Sequence, residues 1–273
     1  MNAPEAGTGS PFLVEHHPVL PSTNDRALEW ARHGLRTGER PRVAVVAERQ
    51  TAGRGRRGHR WSSPPGGLYV SYLTWPRLDE TQTPALPLLC GVALIDAVGP
   101  RVAVPLALKW PNDLLVGGDG PLAGRKLSGV LVERLFQGPD RDPVVFGIGL
   151  NLVRREHGQA DHGRAVSLAE LGAAPGPNEG SDPFSGAVWV DRIGRALSVR
   201  LERAGAEGSR AWAEDYERAL FGRGEKVRWE GPDGSMVDGK LLGVVRRGGL
   251  LLETRAGQRV LDTGTVAFPD RAT

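Results

Sequence analysis

The stretch RVAVVAERQTAGRGRRGHRWSSPPGGLYVSYLTW, residues 42–75, places two apolar runs on either side of an arginine-rich loop. The first run, 42–48, is rich in β-branched residues, and the second, 67–75, ends before a proline, so both are predicted to be buried strands. The loop could be a nucleic-acid-binding segment, a solvated charge run, or a loop that closes on a small phosphate-bearing molecule. Because loops held by a rigid sheet often carry binding sites, its position between two strands supports the third interpretation.

Composition narrows the class of protein. A chain of 273 residues suits one large domain with a small one, and a formal net charge of +3 is too small to imply a nucleic-acid binder by itself. The lone Cys90, in an apolar stretch, fits a reducing cytosol. No apolar run suggests a membrane span, and residues 1–11 lack the features of a signal peptide. We therefore expect a cytoplasmic protein without a membrane partner.

Strands and helices are predicted along the rest of the main domain. A Ser/Thr/Asn/Asp cap predicts a helix over 22–33 that ends at Gly34. Two more helices are predicted near 184–205 and 209–221, and the Gly-rich segment 117–124 is typical of a hairpin turn. The remaining predicted elements are a buried helix at 84–99 and strands within 106–116, 126–136 and 143–152.

The chain changes character twice. Residues 154–183 carry charge, Pro and Gly with little periodicity, so we expect an exposed and partly mobile loop. From Glu225 onward short strands recur between turn signals, which predicts a small β-barrel. The main domain mixes strands and helices without strict alternation, which predicts an α+β fold around a mixed or antiparallel sheet with flanking helices. The predicted organisation is a disordered leader at 1–11, a main domain at 12–222 and a C-terminal domain at 223–273.

Two polar stretches adjoin predicted strands. In KWPNDLLV, Lys109 is one of only four lysines, and Asp113 supplies a carboxylate that could hold Mg²⁺ or attract a proton. The same stretch also fits a packed strand end followed by an ordinary turn. In KLSGVLVE, Lys126 precedes a run of apolar residues that contains Gly129. Strand glycines often mark close approach by a ligand or another backbone, although a bulge or crowded packing explains this one equally well.

Two further stretches complete the candidates for a site. GIGLN contains Gly147 and Gly149 and ends at Asn151. The polar run Ser22–Asn24 opens the first predicted helix; if one of its residues caps that helix, the other polar groups are free for a ligand. The histidines have no zinc-ligand spacing and no partner Cys, so the sequence argues against a zinc site.

Taken together and in this order, STN, QTAGRGRRGHRW, KWPNDLLV, KLSGVLVE and GIGLN closely resemble the motifs of the biotin protein ligases. The resemblance covers residues 12–152 and continues more weakly through SLAEL and WAEDYERAL. It implies a core related to class II aminoacyl-tRNA synthetases and a small SH3-like C-terminal barrel. It also implies that ATP and Mg²⁺ convert biotin to biotinyl-5′-AMP. The biotinyl group then passes to a lysine of a biotin carboxyl carrier domain, as in acetyl-CoA carboxylase.

The resemblance also assigns roles to residues. Lys126 is expected to contact the biotin carboxylate and the α-phosphate, and Asp113 is the candidate Mg²⁺ ligand. The residues expected to take part in catalysis are Lys126, Arg54 and Asp113. Those expected to bind biotin are Ser22, Thr23, Asn24, Gln50, Arg54, Gly55, Arg56, Lys126 and Gly129. Those expected to bind ATP or the adenylate are Arg54, Arg56, Trp61, Lys109, Asn112, Lys126 and Asn151.

Three rival hypotheses stay open beside this one. A lipoate ligase shares the fold and the adenylate chemistry, although the arginine loop together with KWPND favours biotin. A nucleic-acid-binding module would need a broad basic face, whereas 32 acidic residues are spread through this chain. A non-catalytic biotin sensor is the third, yet the matched motif positions are filled. Only residues 1–21 precede STN, so we expect no DNA-binding domain and no DNA partner. The oligomeric state stays open, a weak homodimer included.

We predict that residues 52–60 are mobile in the free protein and become protected when biotinyl-AMP is bound. Glycines at 53, 55 and 58 favour an open loop entropically, so order has to come from the ligand. Hydrogen exchange of the loop amides, with and without the adenylate, measures this difference. Equal protection in both states would contradict a closing loop.

Overall fold

An eight-stranded mixed sheet forms the frame of the main domain in the computed structural model. The structure describes residues 5–6, 10–78, 80–136, 142–153, 164–176, 182–269 and 271. The strands of this sheet, in chain order, are β1 Glu5–Ala6, β2 Leu13–Leu20, β3 Val43–Gln50, β4 Gly67–Thr74, β5 Leu106–Lys109, β6 Asp113–Val116, β7 Lys126–Arg134 and β8 Val144–Asn151.

The strand order is β1-β2-β3-β4-β8-β7-β6-β5. Only the β2–β3 pair is parallel among these pairings; all the others are antiparallel. A mixed sheet with helices on its faces is an α+β fold, so the predicted fold class is confirmed. The predicted strands at 42–48, 67–75 and 143–152 correspond to β3, β4 and β8.

Helix α1, Thr23–Thr37, packs on one face of the sheet. Ser22 caps its N-terminus by accepting a hydrogen bond from the backbone N–H of Asp25. The prediction that the helix ends at Gly34 was wrong, because the helix continues to Thr37 and ends at Gly38 with φ of 79°. Gly34 is instead required by packing, since a Cβ there would lie 2.8 Å from the indole of Trp75.

Helices α2, Leu86–Val98, and α3, Gly186–Glu207, cover the opposite face. A third helix, α4, spans Ala213–Ala219 and follows a short 3₁₀ turn. The segment Thr81–Arg101, which contains α2, has the length and apolar composition of a membrane-crossing helix, but most of it is buried inside the fold. Its apolar residues therefore serve the core, as the predicted buried helix at 84–99 implies.

The segment 106–116 is two strands rather than one. The chain turns at Trp110–Asn112, so that β5 and β6 form their own hairpin, with Lys109 opposite Asp113. The Gly-rich segment 117–124 then joins β6 to β7, which are antiparallel neighbours as expected. The motif KWPND is therefore a tight turn at the edge of the sheet and not a continuous strand.

Two expectations about irregular segments need correction. Residues 1–11 were expected to be a disordered leader, yet Glu5–Ala6 pair with β2. Within the expected loop 154–183, the described residues 164–176 contribute five apolar residues to the interior: Ala165, Val166, Leu168, Leu171 and Ala173. Val166 donates its N–H to the carbonyl of Lys126, so this segment packs along the start of β7. The other parts of that loop lie outside the described residues.

A second, antiparallel sheet forms the C-terminal region. It has five strands in the order β12-β11-β10-β9-β13. These are β9 Lys226–Glu230, β10 Met236–Val244, β11 Leu250–Thr254, β12 Gly257–Leu261 and β13 Thr265–Ala267. The indole N–H of Trp110, in the β5–β6 turn, donates to the carbonyl of Gly248, so the two sheets meet beside this turn. The SH3-like barrel stays an expectation.

A buried arginine joins the three helices that follow one another along the second face. Arg200 of α3 donates to both carboxylate oxygens of Asp96, to the carboxylate of Asp215 and to the carbonyl of Ala211. Its guanidinium is only 9% exposed, whereas both carboxylates are partly exposed. Removing the arginine would take this partner from Asp96 and from the carbonyl of Ala211, and would leave Asp215 with Arg218.

We predict that Arg200→Met lowers the free energy of unfolding by about 3 kcal/mol, since it breaks a largely buried ion-pair network. The matched control is Arg195→Met, which breaks an exposed pair with Asp191 one helical turn away and should cost about 0.5 kcal/mol or less. Denaturant titration of both variants provides the comparison. Equal losses would show that the network does not hold the helices together.

Candidate functional site

A cavity of about 220 Å³ opens on the α1 face of the main sheet. The position of the cavity follows from β8, whose successive side chains point to opposite faces of the sheet. Phe146, Ile148 and Leu150 point into the core under α2 and α3. Gly147 and Gly149 therefore face the opposite side. The predicted site residues that line the cavity are Ser22, Thr23, Asn24, Gln50, Arg54, Gly55, Arg56, Trp61, Asn112, Asp113, Lys126 and Gly129.

Strand glycines form the floor of the cavity. Gly129 of β7 lies directly opposite Gly149 of β8 in the register of the sheet. A Cβ on Gly149 would overlap the indole of Trp61, and a Cβ on Gly129 would lie 2.8 Å from the same ring. A Cβ on Gly147 would overlap the side-chain amide of Asn24. The absence of side chains on these strands therefore lets Trp61 and Asn24 lie against the backbone.

At one end of the cavity the polar residues at the start of α1 meet Gln50 of β3. Gln50 accepts hydrogen bonds from the backbone N–H of Thr23, at 2.8 Å, and from its hydroxyl, at 3.1 Å. The buried hydroxyl of Ser71 lies 2.5 Å from Oδ1 of Asn24 and 2.8 Å from Oγ1 of Thr23. Ser71 and Gly147 are cross-strand partners, so this hydroxyl lies beside the glycine that Asn24 covers. We call this group of side chains the polar recess.

The arginine loop folds back on itself above the floor. Gly55 donates its N–H to the carbonyl of His59, and Trp61 donates its N–H to the carbonyl of Gly53. Arg54 leaves the loop towards α1 and β7, where it forms ion pairs with Asp25 and Glu133, each at 2.7 Å. In this structure the charge of Arg54 is therefore balanced by the carboxylates of Asp25 and Glu133.

Arg56 and Arg57 extend from the same loop to the C-terminal sheet. Arg56 donates to the carbonyl of Gly264, at 3.3 Å, and within the described part of the chain it pairs with no carboxylate. Arg57 has a left-handed backbone, with φ of 54°, and donates to the carbonyl of Gly231. Burial lowers the pKa of the Arg56 guanidinium, although it stays charged at neutral pH. Arg56 is therefore a partly desolvated cation with no ion pair of its own among the described residues, although the carboxylate of Asp113 acts on it electrostatically.

Lys126 stands at the other end of the cavity from the polar recess. Its backbone is held on both sides, by β6 and by the segment at Ala165. Its ammonium lies 2.7 Å from Oδ1 of Asp113 and 5.0 Å from the ring centre of Trp61. The indole N–H of Trp61 has no hydrogen-bond partner among the described residues. This end of the cavity thus offers a cation, a carboxylate and a flat aromatic surface.

Two predicted nucleotide-binding residues lie outside the cavity wall. The ammonium of Lys109 lies 5.8 Å from the ring centre of Phe268, and burial lowers its pKa. The side chain of Asn151 donates to the backbone carbonyls of Val166 and Lys126, so it holds the start of β7 in place. Asn112 does line the cavity, and its amide also ties the β5–β6 turn to β7. The nucleotide contacts of Lys109 and Asn151 stay predictions.

Sequence reasoning missed several residues of the site. Glu133 was part of KLSGVLVE but received no role, although the alternation from Gly129 through Leu131 to Glu133 places all three on one face of β7. Thr265 of β13 lines the cavity from the C-terminal sheet, and nothing in its local sequence marks it. Arg57, His59 and Arg60 of the loop line it as well.

The residues around Asp113 do not form a dedicated metal cage. Among the described residues no three His, Cys, Asp or Glu side chains come together as a metal-binding group. Asp113 is the one carboxylate among the described residues that line the cavity, and it already faces Lys126. This donor set fits Mg²⁺ that is held mainly by the phosphates of a nucleotide, with a single carboxylate at hand, which is the usual mode for this ion.

The cavity has the polar recess at one end, a floor of glycines, and cations at the other end under the arginine loop. This arrangement suits a molecule with one polar head and one anionic end. The biotin/lipoate A/B protein ligase family matches the chain over residues 17–151. The chain is 33% identical over 232 residues to the biotin–[acetyl-CoA-carboxylase] ligase of Mycobacterium tuberculosis, and the match covers 82% of this chain and 78% of that protein.

Two further likenesses agree with this match. The chain is 30% identical over 243 residues to the bifunctional ligase/repressor BirA of Bacillus subtilis, over 89% of this chain and 70% of that protein. The structure of a biotin protein ligase from Aquifex aeolicus in complex with biotin and ATP superimposes with a TM-score of 0.71 at 29% identity. That superposition covers 93% of this chain and 97% of the other. The chain therefore belongs to the biotin/lipoate A/B protein ligase family, and within it to the biotin protein ligases.

We predict that Gly147→Ala destabilises the protein by about 1–3 kcal/mol, because the new methyl group overlaps the side chain of Asn24 in a packed region. The control is Gly186→Ala at the start of α3, where the nearest atom to a Cβ is a methyl carbon of Leu68 at 3.9 Å. That substitution should cause no loss, since alanine favours the helix. Thermal and denaturant unfolding of the two variants test the prediction, and equal stability would contradict the close packing at Gly147.

Proposed function

We propose that the protein uses ATP to attach biotin to a specific lysine of a biotin carboxyl carrier domain through biotinyl-5′-AMP. The observation that carries the proposal is a single cavity with the polar recess at one end and Lys126 and Arg56 near the other, above a glycine floor. A ligand with a hydrogen-bonding ring at one end and a carboxylate at the other matches this division. The solved Aquifex aeolicus relative is described in complex with biotin and ATP, which supports the same assignment.

The polar recess would hold the ureido ring of biotin. A ureido group offers two N–H donors and one carbonyl acceptor, so it needs protein groups of both kinds in an enclosed slot. The hydroxyls of Ser22 and Thr23 and the amide of Asn24 provide both kinds. The floor at Gly129 leaves room for the aliphatic chain that joins the ring to the carboxylate.

The first half-reaction brings two anionic groups together. A carboxylate oxygen of biotin attacks the α-phosphorus of ATP, an O–P bond forms, and the bond to the leaving pyrophosphate breaks. Lys126 and Arg56 would stabilise the charge that gathers on the α-phosphate, since preorganised cations act most strongly on the transition state. The ring of Trp61 offers an aromatic surface against which the adenine base would stack. Mg²⁺ bound to the phosphates would offset the charge of the leaving pyrophosphate.

In the second half-reaction the amine of a carrier lysine attacks the carbonyl carbon of biotinyl-AMP. A C–N bond forms, the C–O bond to AMP breaks, and the amine loses a proton. Asp113 would accept that proton when Lys126 turns towards the phosphate; the contact between the two side chains supports this role. Because water would hydrolyse the mixed anhydride, the arginine loop would have to cover it between the two steps.

The decisive experiment incubates the purified protein with biotin and ATP, with and without Mg²⁺, and detects biotinyl-AMP by mass spectrometry. Adding a biotin carboxyl carrier domain should then yield a single biotinylated lysine. A carrier whose acceptor lysine is replaced by arginine provides the control. Failure to form biotinyl-AMP from biotin, or its replacement by a lipoyl adenylate when lipoate is supplied, would refute the proposal.

We predict that Lys126→Ala slows adenylate formation by roughly two or more orders of magnitude, the usual loss for one preorganised electrostatic donor. The matched control is Lys240→Ala, since that lysine is exposed on β10 and does not line the cavity. Its rate should fall far less. Single-turnover release of pyrophosphate measures both, and an unchanged rate for Lys126→Ala would exclude this role.

We predict that Arg56→Gly still forms biotinyl-AMP but releases it roughly ten- to hundred-fold faster, as expected for one lost charged hydrogen bond of about 1.5–3 kcal/mol. Released anhydride would acylate lysines of unrelated proteins. The measurement is biotin incorporation into albumin present with the variant, compared with the wild-type enzyme and with Lys126→Ala as a blank. If albumin stays unlabelled while biotinyl-AMP still accumulates on the enzyme, Arg56 does not help the loop to retain the adenylate.

A further inference from the structure

Glu133 does not line the cavity itself, but it contacts two residues that do, Asn24 and Arg54. Its Oε2 accepts a hydrogen bond from the side-chain amide of Asn24 at 2.7 Å. Both of its carboxylate oxygens also accept from Arg54, at 3.1 and 2.7 Å. Asn24 belongs to α1 and Arg54 to the arginine loop, and β7 joins them through this one carboxylate.

We propose that Glu133 is a positioning residue for the ligase reaction, which orients the amide of Asn24 towards biotin and couples it to Arg54 of the loop. The inference rests on the proposed function, because it assigns Asn24 to the biotin ring. Glu133 touches no substrate in this scheme. It acts through the two residues that it holds.

The orientation of the Asn24 amide follows from its partners. A carboxylate can only accept, so the group of Asn24 that faces Glu133 is its NH₂. On the other side Oδ1 accepts from the buried hydroxyl of Ser71. The second N–H points to the backbone carbonyl of Leu131, at 3.5 Å. The free lone pair of Oδ1 is thus the group that Asn24 can offer to a ligand, and it suits an N–H donor such as that of a ureido ring.

The same carboxylate holds the loop through a two-pronged contact with Arg54, which is the strong geometry for this pair. The side chain of Glu133 is 26% exposed, so water screens this contact only in part. A shift of the loop would pull on Glu133, and Glu133 would in turn release the amide of Asn24. A glutamine at 133 keeps one neutral carbonyl oxygen in place of the charged carboxylate, so its contacts with Asn24 and Arg54 are weakened, and its NH₂ would face one nitrogen of Arg54.

Asp25 provides a matched comparison on the same arginine. Its carboxylate lies 2.7 Å from the same nitrogen, Nη2, of Arg54. Among the described hydrogen bonds, however, it has none to the side chain of Asn24. Asp25→Asn and Glu133→Gln therefore remove the same charge from the same guanidinium, and only the second disturbs Asn24.

The experiment measures the Kd of biotin by calorimetry, with the unfolding midpoint of each variant recorded in parallel. We expect Glu133→Gln to raise the Kd about tenfold, as for one impaired charged hydrogen bond. Asp25→Asn should change it less than about twofold. Equal changes in the two variants, or no change in Glu133→Gln, would overturn the proposal. If Glu133→Gln does not fold, Glu133→Asp replaces it, since the shorter carboxylate keeps the charge but withdraws from Asn24.

A double-mutant cycle separates positioning from general stabilisation. Asn24→Ala should weaken biotin binding alone, and adding Glu133→Gln should then weaken it little further, because the partner is already absent. Additive effects on the Kd would overturn the coupling. Wild-type enzyme that binds no biotin would refute the proposed function itself. If the wild-type enzyme binds biotin and forms the adenylate, but the effects of the two substitutions on the Kd are additive, only this inference is refuted.

Discussion

The site depends on close approach of side chains to the backbone of β8. Asn24 and Trp61 occupy the space that side chains of Gly147 and Gly149 would fill. Because the same strand buries Phe146, Ile148 and Leu150 on its other face, β8 cannot shift to make room. The floor of the cavity is therefore packed against the core, which limits how far the groups above it can shift.

The charges above this floor are divided between two tasks. Arg54 is paired with two carboxylates, whereas Arg56 pairs with none among the described residues and donates to a carbonyl of the C-terminal sheet. Lys126 faces the carboxylate of Asp113, and in the proposed reaction it would leave that partner for a phosphate. A loop that looks uniformly basic in sequence therefore holds arginines with different partners.

The elements that sequence patterns located best were the buried strands and α2, because their apolar runs reflect burial directly. Gly34 misled the prediction of α1, since a helical glycine can serve packing against a distant residue, here Trp75, as well as termination. The prediction of an exposed loop over 154–183 was wrong for the described residues 164–176. The alternating small and apolar residues of this segment pack beside Lys126 through contacts that join positions far apart in sequence.

The order of the motifs in the sequence by itself determined the family, the α+β class and most residues that line the cavity, because strand glycines, lone lysines and an arginine loop carry local signals. Only the tertiary structure decided which of those residues act together. Glu133 joins Asn24 to Arg54, and Thr265 reaches the cavity from the second sheet. Such pairings depend on strand register and on the contact between the two sheets, and neither leaves a trace in the residues near any one position.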